Sequence, residues 1–178
     1  MADPLLVVDV QLGFLNDYTR HIPARIVELI ERDRPDSILF TKFVNEASGP
    51  YHRFLDWHAC EHSPETDFAP ELARYSNPER TFAKQGLAGI SDELKIYLTE
   101  HGIERVRLVG IDTDMCVLKV GMDVFDLGIE PIILVDCCAS TAGLQAHLAG
   151  LAVLARNIGA TRLQDAGLSG GHLGAPLS

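Results

Sequence analysis

Apolar runs alternate with helix-period segments along nearly the whole chain, and that alternation constrains the fold more than any other feature. Leu5 to Val10 is a continuous apolar run broken only by Asp9. Ser37 to Val44, Arg105 to Ile111 and Pro131 to Asp136 are further strand-like segments; Arg80 to Lys84 and Thr161 to Leu163 are short ones. Continuous runs suit strands buried on both faces of a parallel sheet, because a strand with one wet face would alternate. Between them lies Ile22 to Arg34, with Ile26, Leu29 and Ile30 at helical spacing. A second helix opens at Ser91 as N-cap, carries Leu94 and Leu98 on one face and stops at Gly102. Thr113 to Leu127 and Ala142 to Asn157 are helices ended by Gly128 and Gly159, glycine being the residue that most easily takes the left-handed turn after a helix. The alternation predicts an α/β protein, an open parallel sheet with helices on both faces. Ligands of such sheets bind beyond the carboxyl ends of the strands, near the topological switch point. Asp9, Lys84 and the turn holding Cys116 all fall at or just past such ends.

Composition narrows the function. A length of 178 residues supports one full core, so 1–178 is read as a single domain with a loose Gly- and Pro-rich tail over about 167–178. The hydrophobic fraction of 47% argues against disorder. A net charge of −10 with no Lys/Arg run argues against nucleic acid and anionic membrane surfaces as partners. The apolar runs are too short to span a bilayer, and Met1-Ala2-Asp3-Pro4 lacks the basic region of a signal peptide. The four cysteines, Cys60, Cys116, Cys137 and Cys138, have no CxxC spacing. A reduced, cytoplasmic protein is therefore expected. Residues 45 to 78 contain Gly49, Pro50, Pro64, Pro70 and Pro78 and read as a long functional loop or a set of short helices.

Three residues could carry chemistry. Asp9 either caps a turn after a strand ending at Val8, or is a buried general base whose proton affinity is tuned by its surroundings. Lys84 is either a surface lysine or, after Phe82 and Ala83 and before the Gly86 turn, a cation that pairs with Asp9. Cys116 follows the polar turn Gly110-Ile111-Asp112-Thr113-Asp114 where a strand passes into a helix. Unpaired N–H groups and the helix dipole there would favour a thiolate and could hold an oxyanion; the alternative is a small buried hydrophobe.

Asp9-Val10-Gln11 with Phe14, Lys84-Gln85-Gly86, and Gly110 to Val117 together resemble the three signatures of the isochorismatase-like cysteine hydrolases, a superfamily that includes nicotinamidases, N-carbamoylsarcosine amidases and ureidoacrylate amidases. Val135-Asp136-Cys137-Cys138-Ala139-Ser140 with His147 resembles the family's segment after the fifth strand. The likeness runs from about Leu5 to Gly159. It implies a three-layer α/β/α fold with a mostly parallel six-stranded sheet in the Rossmann-like order 3-2-1-4-5-6. It also implies Cys116 as nucleophile, Asp9 as general acid/base and Lys84 as third triad member. The backbone N–H groups of Asp112 and Cys116 would form the oxyanion hole, beside a cis Ile111–Asp112 peptide. The implied activity is hydrolysis of a small amide, carbamoyl or related C–N bond through a thioester, by a homo-oligomer (dimer or tetramer) without cofactor.

The chain also departs from the family. Nicotinamidases carry a metal on an Asp-x-His pair after the second strand and a later His; Phe43 and Asn45 stand in the places of that pair, and neither suits zinc or iron. No metal is assigned there. The later stretch Asp56-Trp57-His58-Ala59-Cys60-Glu61-His62 holds plausible ligands about a dozen residues too late, and reads as a metal loop or as an ordinary loop at the pocket mouth. Leu87-Ala88 replaces a Tyr-Ser pair common in the family. Phe14, Asn45 and Trp57 are the expected substrate contacts, with His52 and Phe54 as further lining. The competing functions are a vinyl-ether hydrolase of the isochorismatase type, a metal-dependent nicotinamidase, and a non-catalytic small-molecule binding domain, since a fold alone does not define an activity.

Overall fold

The computed structural model describes residues 3–168, so all of the expected loose tail beyond Leu168 lies outside the described residues. Six parallel strands form one sheet: β1 (Leu5–Val8), β2 (Ile38–Phe43), β3 (Thr81–Lys84), β4 (Arg105–Ile111), β5 (Glu130–Ala139) and β6 (Leu163–Gln164). Their order is β3-β2-β1-β4-β5-β6, as anticipated. The continuous apolar runs have the expected cause. Leu5 and Val7 point into one layer of core with Phe40, while Leu6 and Val8 point into the other with Leu39. Helices cover both faces: α1 (Ile22–Asp33) and the short α3 (Pro70–Ala73) on one side, α4 (Asp92–Glu100), α5 (Leu118–Asp126) and α6 (Leu144–Ile158) on the other.

The helix signals act as read. α1 buries Ile22, Ile26, Leu29 and Ile30 and stops where Arg34 turns left-handed at φ 47°. Ser91 Oγ accepts the Leu94 N–H at 3.3 Å, filling one unsatisfied donor at the start of α4.

Several boundaries differ from expectation. β1 ends at Val8 rather than Val10, because Asp9 takes a left-handed φ of 50°. β5 continues to Ala139, so Cys137 and Cys138 lie inside the strand instead of after it. The strand survives the polar Asp136 because its carboxylate is satisfied by the Arg25 guanidinium at 2.7 Å and the Ala166 N–H at 2.7 Å. The segment after β2 holds short helices, one of its two sequence readings: α2 (Pro50–Leu55) and α3. Cys116 is not in the first turn of an α-helix but in a π-helical turn, Thr113–Val117, that precedes α5. Single π turns of this kind are frequent at functional sites. Among the described residues no helix is long and apolar enough to cross a membrane.

The chain order switches between β1 and β4, where Val8 pairs with Gly110. A side chain at Gly110 would run into the Val8 backbone, and its φ of 132° is one that other residues rarely adopt. Glycine is required there for the two central strands to meet just before the Asp9 and Cys116 turns diverge.

Candidate active site

Asp9 resolves both of its sequence readings at once. The strand does end at Val8, and the residue is fully buried. Burial is tolerable because one carboxylate oxygen is hydrogen-bonded and the other is ion-paired. Thr41 Oγ1 donates to Asp9 Oδ1 at 2.6 Å and accepts the Asp9 N–H at 3.2 Å. Asp9 Oδ2 lies 2.7 Å from Lys84 Nζ. Register explains Thr41: it is paired with Val8, so its hydroxyl stands beside the residue that follows.

Lys84 is the last residue of β3, two strands away, and is 4% exposed. Its side chain passes the Phe43 ring, with Nζ 5.5 Å from the centroid, to reach the switch point. There Nζ also donates to Cys116 Sγ at 3.5 Å. Burial alone would lower the lysine pKa, but the charge of Asp9 and the neighbouring Cys116 outweigh it, and the pKa is raised above the ordinary lysine value. The ammonium therefore stays charged.

Cys116 behaves differently from the thiolate expected at a helix start. Burial pushes its pKa up, Asp9 pushes it further, and Lys84 opposes only in part. The surroundings therefore favour the thiol over the thiolate. Cys60 and Cys137 are also pushed up, to about 12, chiefly by burial.

The turn between β4 and Cys116 is tightly held. The Ile111–Asp112 peptide is cis. The Asp112 carbonyl accepts the N–H groups of Met115 at 3.2 Å and Val117 at 2.9 Å, which closes the π turn. The Asp112 carboxylate accepts the Thr141 N–H at 2.5 Å and the Thr141 hydroxyl at 2.9 Å. His147 supports the turn from α6, its Nδ1 lying 2.8 Å from Thr113 Oγ1.

Burial raises the Asp112 pKa to about 6, with the Thr141 hydrogen bonds opposing in part. The folded protein thus binds this proton more tightly than the unfolded chain does. The stabilising contribution is complete below the ordinary aspartate range and is lost as pH rises through about 6. Asp112→Asn is expected to abolish this fall, which amounts to about 1–3 kcal/mol at 1.36 kcal/mol per pKa unit. Urea unfolding at pH 4.5 and 7.5 measures it; an unchanged pH dependence in the variant would refute it.

The long loop packs an aromatic wall beside the lysine. Phe14 and Trp57 stack with centroids 6.4 Å apart and planes 18° apart. Phe43 meets Phe14 edge-on at 5.8 Å and Tyr51 at 5.7 Å, and Tyr51 meets Trp57 at 5.3 Å. The Tyr51 phenol is raised first by burial and then by Cys116, so this ring feels the thiol's surroundings. Gln11 clamps the end of β2, accepting the Phe43 N–H at 2.7 Å and donating to the Phe43 carbonyl at 2.9 Å.

Two expected pocket residues are placed otherwise. Asn45 has its amide N–H₂ engaged, donating to the carbonyls of Trp57 and Ala59 at 3.0 Å each, so it ties down the loop instead of offering those donors to a ligand. Phe54 is 71% exposed and lies under Arg53 rather than in the wall. The strand-end position of an Asp-x-His metal pair does not fit a metal: Phe43 is 2% exposed among aromatic rings, and the Asn45 donors are taken. Thr41, Tyr51, Thr113 and Thr141 were not singled out in the sequence. A hydroxyl within the apolar β2 run was the one available signal, for Thr41.

A doubly wound parallel sheet with a buried acid and lysine and a half-buried thiol past its carboxyl edge defines an α/β enzyme scaffold. Residues 4–165 match the isochorismatase domain, and the chain belongs to the isochorismatase family, as a hydrolase. It is similar to an isochorismatase-like hydrolase from Alkaliphilus metalliredigens, with 25% identity over 88% of this chain and 92% of that one and a TM-score of 0.76. A pyrazinamidase/nicotinamidase from Streptococcus mutans shares the fold at 22% identity, covering 89% of this chain and 98% of its own, with a TM-score of 0.72. N-carbamoylsarcosine amidase from Thermoplasma acidophilum does so at 18% identity, covering 86% and 93%, with a TM-score of 0.68.

Proposed function

We propose that the chain is a cysteine-dependent hydrolase of a small amide, carbamoyl or related C–N substrate, with Cys116 as nucleophile, Asp9 as general acid/base and Lys84 as the cation between them. One observation carries this reading: Lys84 Nζ lies 2.7 Å from Asp9 Oδ2 and 3.5 Å from Cys116 Sγ. A buried base beside a protonated thiol suits transfer of the proton during attack, when the growing S–C bond lowers the sulfur's hold on it.

In the first half-reaction Cys116 Sγ bonds to the carbonyl carbon as its proton passes to Asp9. The carbonyl oxygen gains the electron pair, and the N–H groups of Asp112 and Cys116 are assigned to receive it. The C–N bond then breaks, and Asp9 returns the proton to the leaving nitrogen. In the second half, water gives a proton to Asp9 and attacks the thioester; the C–S bond breaks and sulfur recovers the proton. Lys84 keeps its charge throughout and steadies the Asp9 carboxylate. Phe14 and Trp57, with Phe43 and Tyr51 behind them, favour a planar or apolar acyl group.

The family membership leaves vinyl-ether hydrolysis as the alternative activity. Vinyl-ether cleavage needs an acid at carbon but no nucleophilic sulfur. Two measurements distinguish the readings. A panel of amides, carbamoyl compounds and isochorismate should show turnover on a C–N substrate. A stoichiometric haloacetamide near neutral pH should label Cys116 first, because its sulfur is only half-buried and has a base beside it to take the proton as the S–C bond forms, while Cys60, Cys137 and Cys138 are buried. Equal, slow labelling of all four cysteines together with no C–N turnover would sink the proposal and favour a binding domain.

A further inference from the structure

Outside this site, three donor side chains converge on the loop after α2. His52 lies on α2, and His58 and Glu61 lie beyond it. One donor atom from each falls within 4.8 Å of the other two. His52 Nε2 is 2.9 Å from Glu61 Oε1, yet that nitrogen is buried and makes no hydrogen bond. With that nitrogen unprotonated, its lone pair and the carboxylate oxygen can face a common third point. A tetrahedral cation with bonds of about 2.0–2.1 Å separates its ligand atoms by roughly 3.3 Å, inside the 4.8 Å limit within which these donor atoms lie. His58 is itself oriented by a carboxylate, Asp56 Oδ1 lying 2.9 Å from its Nε2.

We propose that His52, His58 and Glu61 bind one divalent transition cation, of the zinc or cobalt type, with the remaining position left to water. Two imidazoles and one carboxylate select such ions over magnesium or calcium, which take oxygen ligands. The set is separate from the end of β2, where Phe43 and Asn45 stand. The cation ties α2 to residues 58–61 and thereby fixes the intervening Trp57, whose indole packs on Phe43 at 6.0 Å and Tyr51 at 5.3 Å. Trp57 is the sole tryptophan of the chain, so its emission reports on this loop alone.

The test uses tag-free full-length protein, stripped with chelator and desalted, then titrated with Co²⁺ and with Zn²⁺. Expected are visible Co²⁺ absorption of a four-coordinate site, its displacement by Zn²⁺, and a change in Trp57 emission saturating at one equivalent. His58→Ala and Glu61→Gln should weaken binding more than about tenfold, since loss of even an outer-shell partner costs that much. The His58 side chain is 58% exposed, so its removal spares the fold. His62→Ala should bind as the parent does, because its ring is 3.9 Å from Glu61 and outside the cluster. Parent binding no tighter than that of His58→Ala, or equal loss in His62→Ala, would overturn the site and leave a His52–Glu61 contact alone. Neither readout depends on hydrolysis, so this outcome is independent of the assignment of Cys116.

Discussion

Cys116→Ala is expected to reduce kcat/KM by roughly 10⁴-fold or more on any C–N substrate found, since removal of a nucleophile forfeits the covalent route entirely. The fold should survive. The change removes one sulfur from a partly buried position, and the Asp9–Lys84 pair keeps its 2.7 Å contact and the Thr41 hydroxyl. Circular dichroism and urea unfolding should therefore match the parent within about 1–2 kcal/mol. Substrate should still bind. Mass spectrometry of quenched reactions should show an acyl adduct on Cys116 in the parent and none in the variant. Full turnover by Cys116→Ala would remove the thioester mechanism outright.

The Asp9–Lys84 pair carries the second large effect, and here stability and activity separate. Both groups are almost wholly excluded from water. Removing one partner leaves an uncompensated buried charge, so Asp9→Asn and Lys84→Met should each destabilise by about 3–5 kcal/mol. The double variant has no such charge and should recover much of that loss, a coupling that a double-mutant cycle reads directly. Activity should not recover in any of the three, because proton transfer needs the Asp9 carboxylate. The pH dependence has a defined sign. The Lys84 pKa is raised in the folded state, so its stabilisation is complete below the ordinary lysine pKa, about 10.4, and is lost as pH rises through the higher folded value. Lys84→Met should lack that alkaline loss. A double variant no more stable than the worse single variant would show that the pair is not held by mutual charge.

The strand ends were the most legible part of the chain. Apolar runs, helix caps and glycines are local signals, and they placed Asp9, Lys84 and Cys116 at one edge of a sheet whose strand order the structure shares. The errors arose where a distant contact overrides a local signal. Asp136 broke the apolar pattern of β5, but Arg25 and Ala166 satisfy it and the strand runs on to Ala139. Asn45 read as a substrate contact, and the folded loop brings the Trp57 and Ala59 carbonyls to its amide N–H₂, which no local signal shows. The place of Cys116 at a helix start favours a thiolate, whereas burial, visible only in the fold, raises its pKa.

The sequence by itself determined the parallel α/β architecture and which acid, lysine and thiol stand at strand ends on one edge, because periodicity and turn residues act over a few positions, and its three motifs carried the resemblance to the family. Only the tertiary structure decided how those groups are charged, what the long loop builds against Phe43 and how His52, His58 and Glu61 come to face one another. Desolvation and convergence depend on side chains brought together from distant parts of the chain, and no short stretch of sequence contains them.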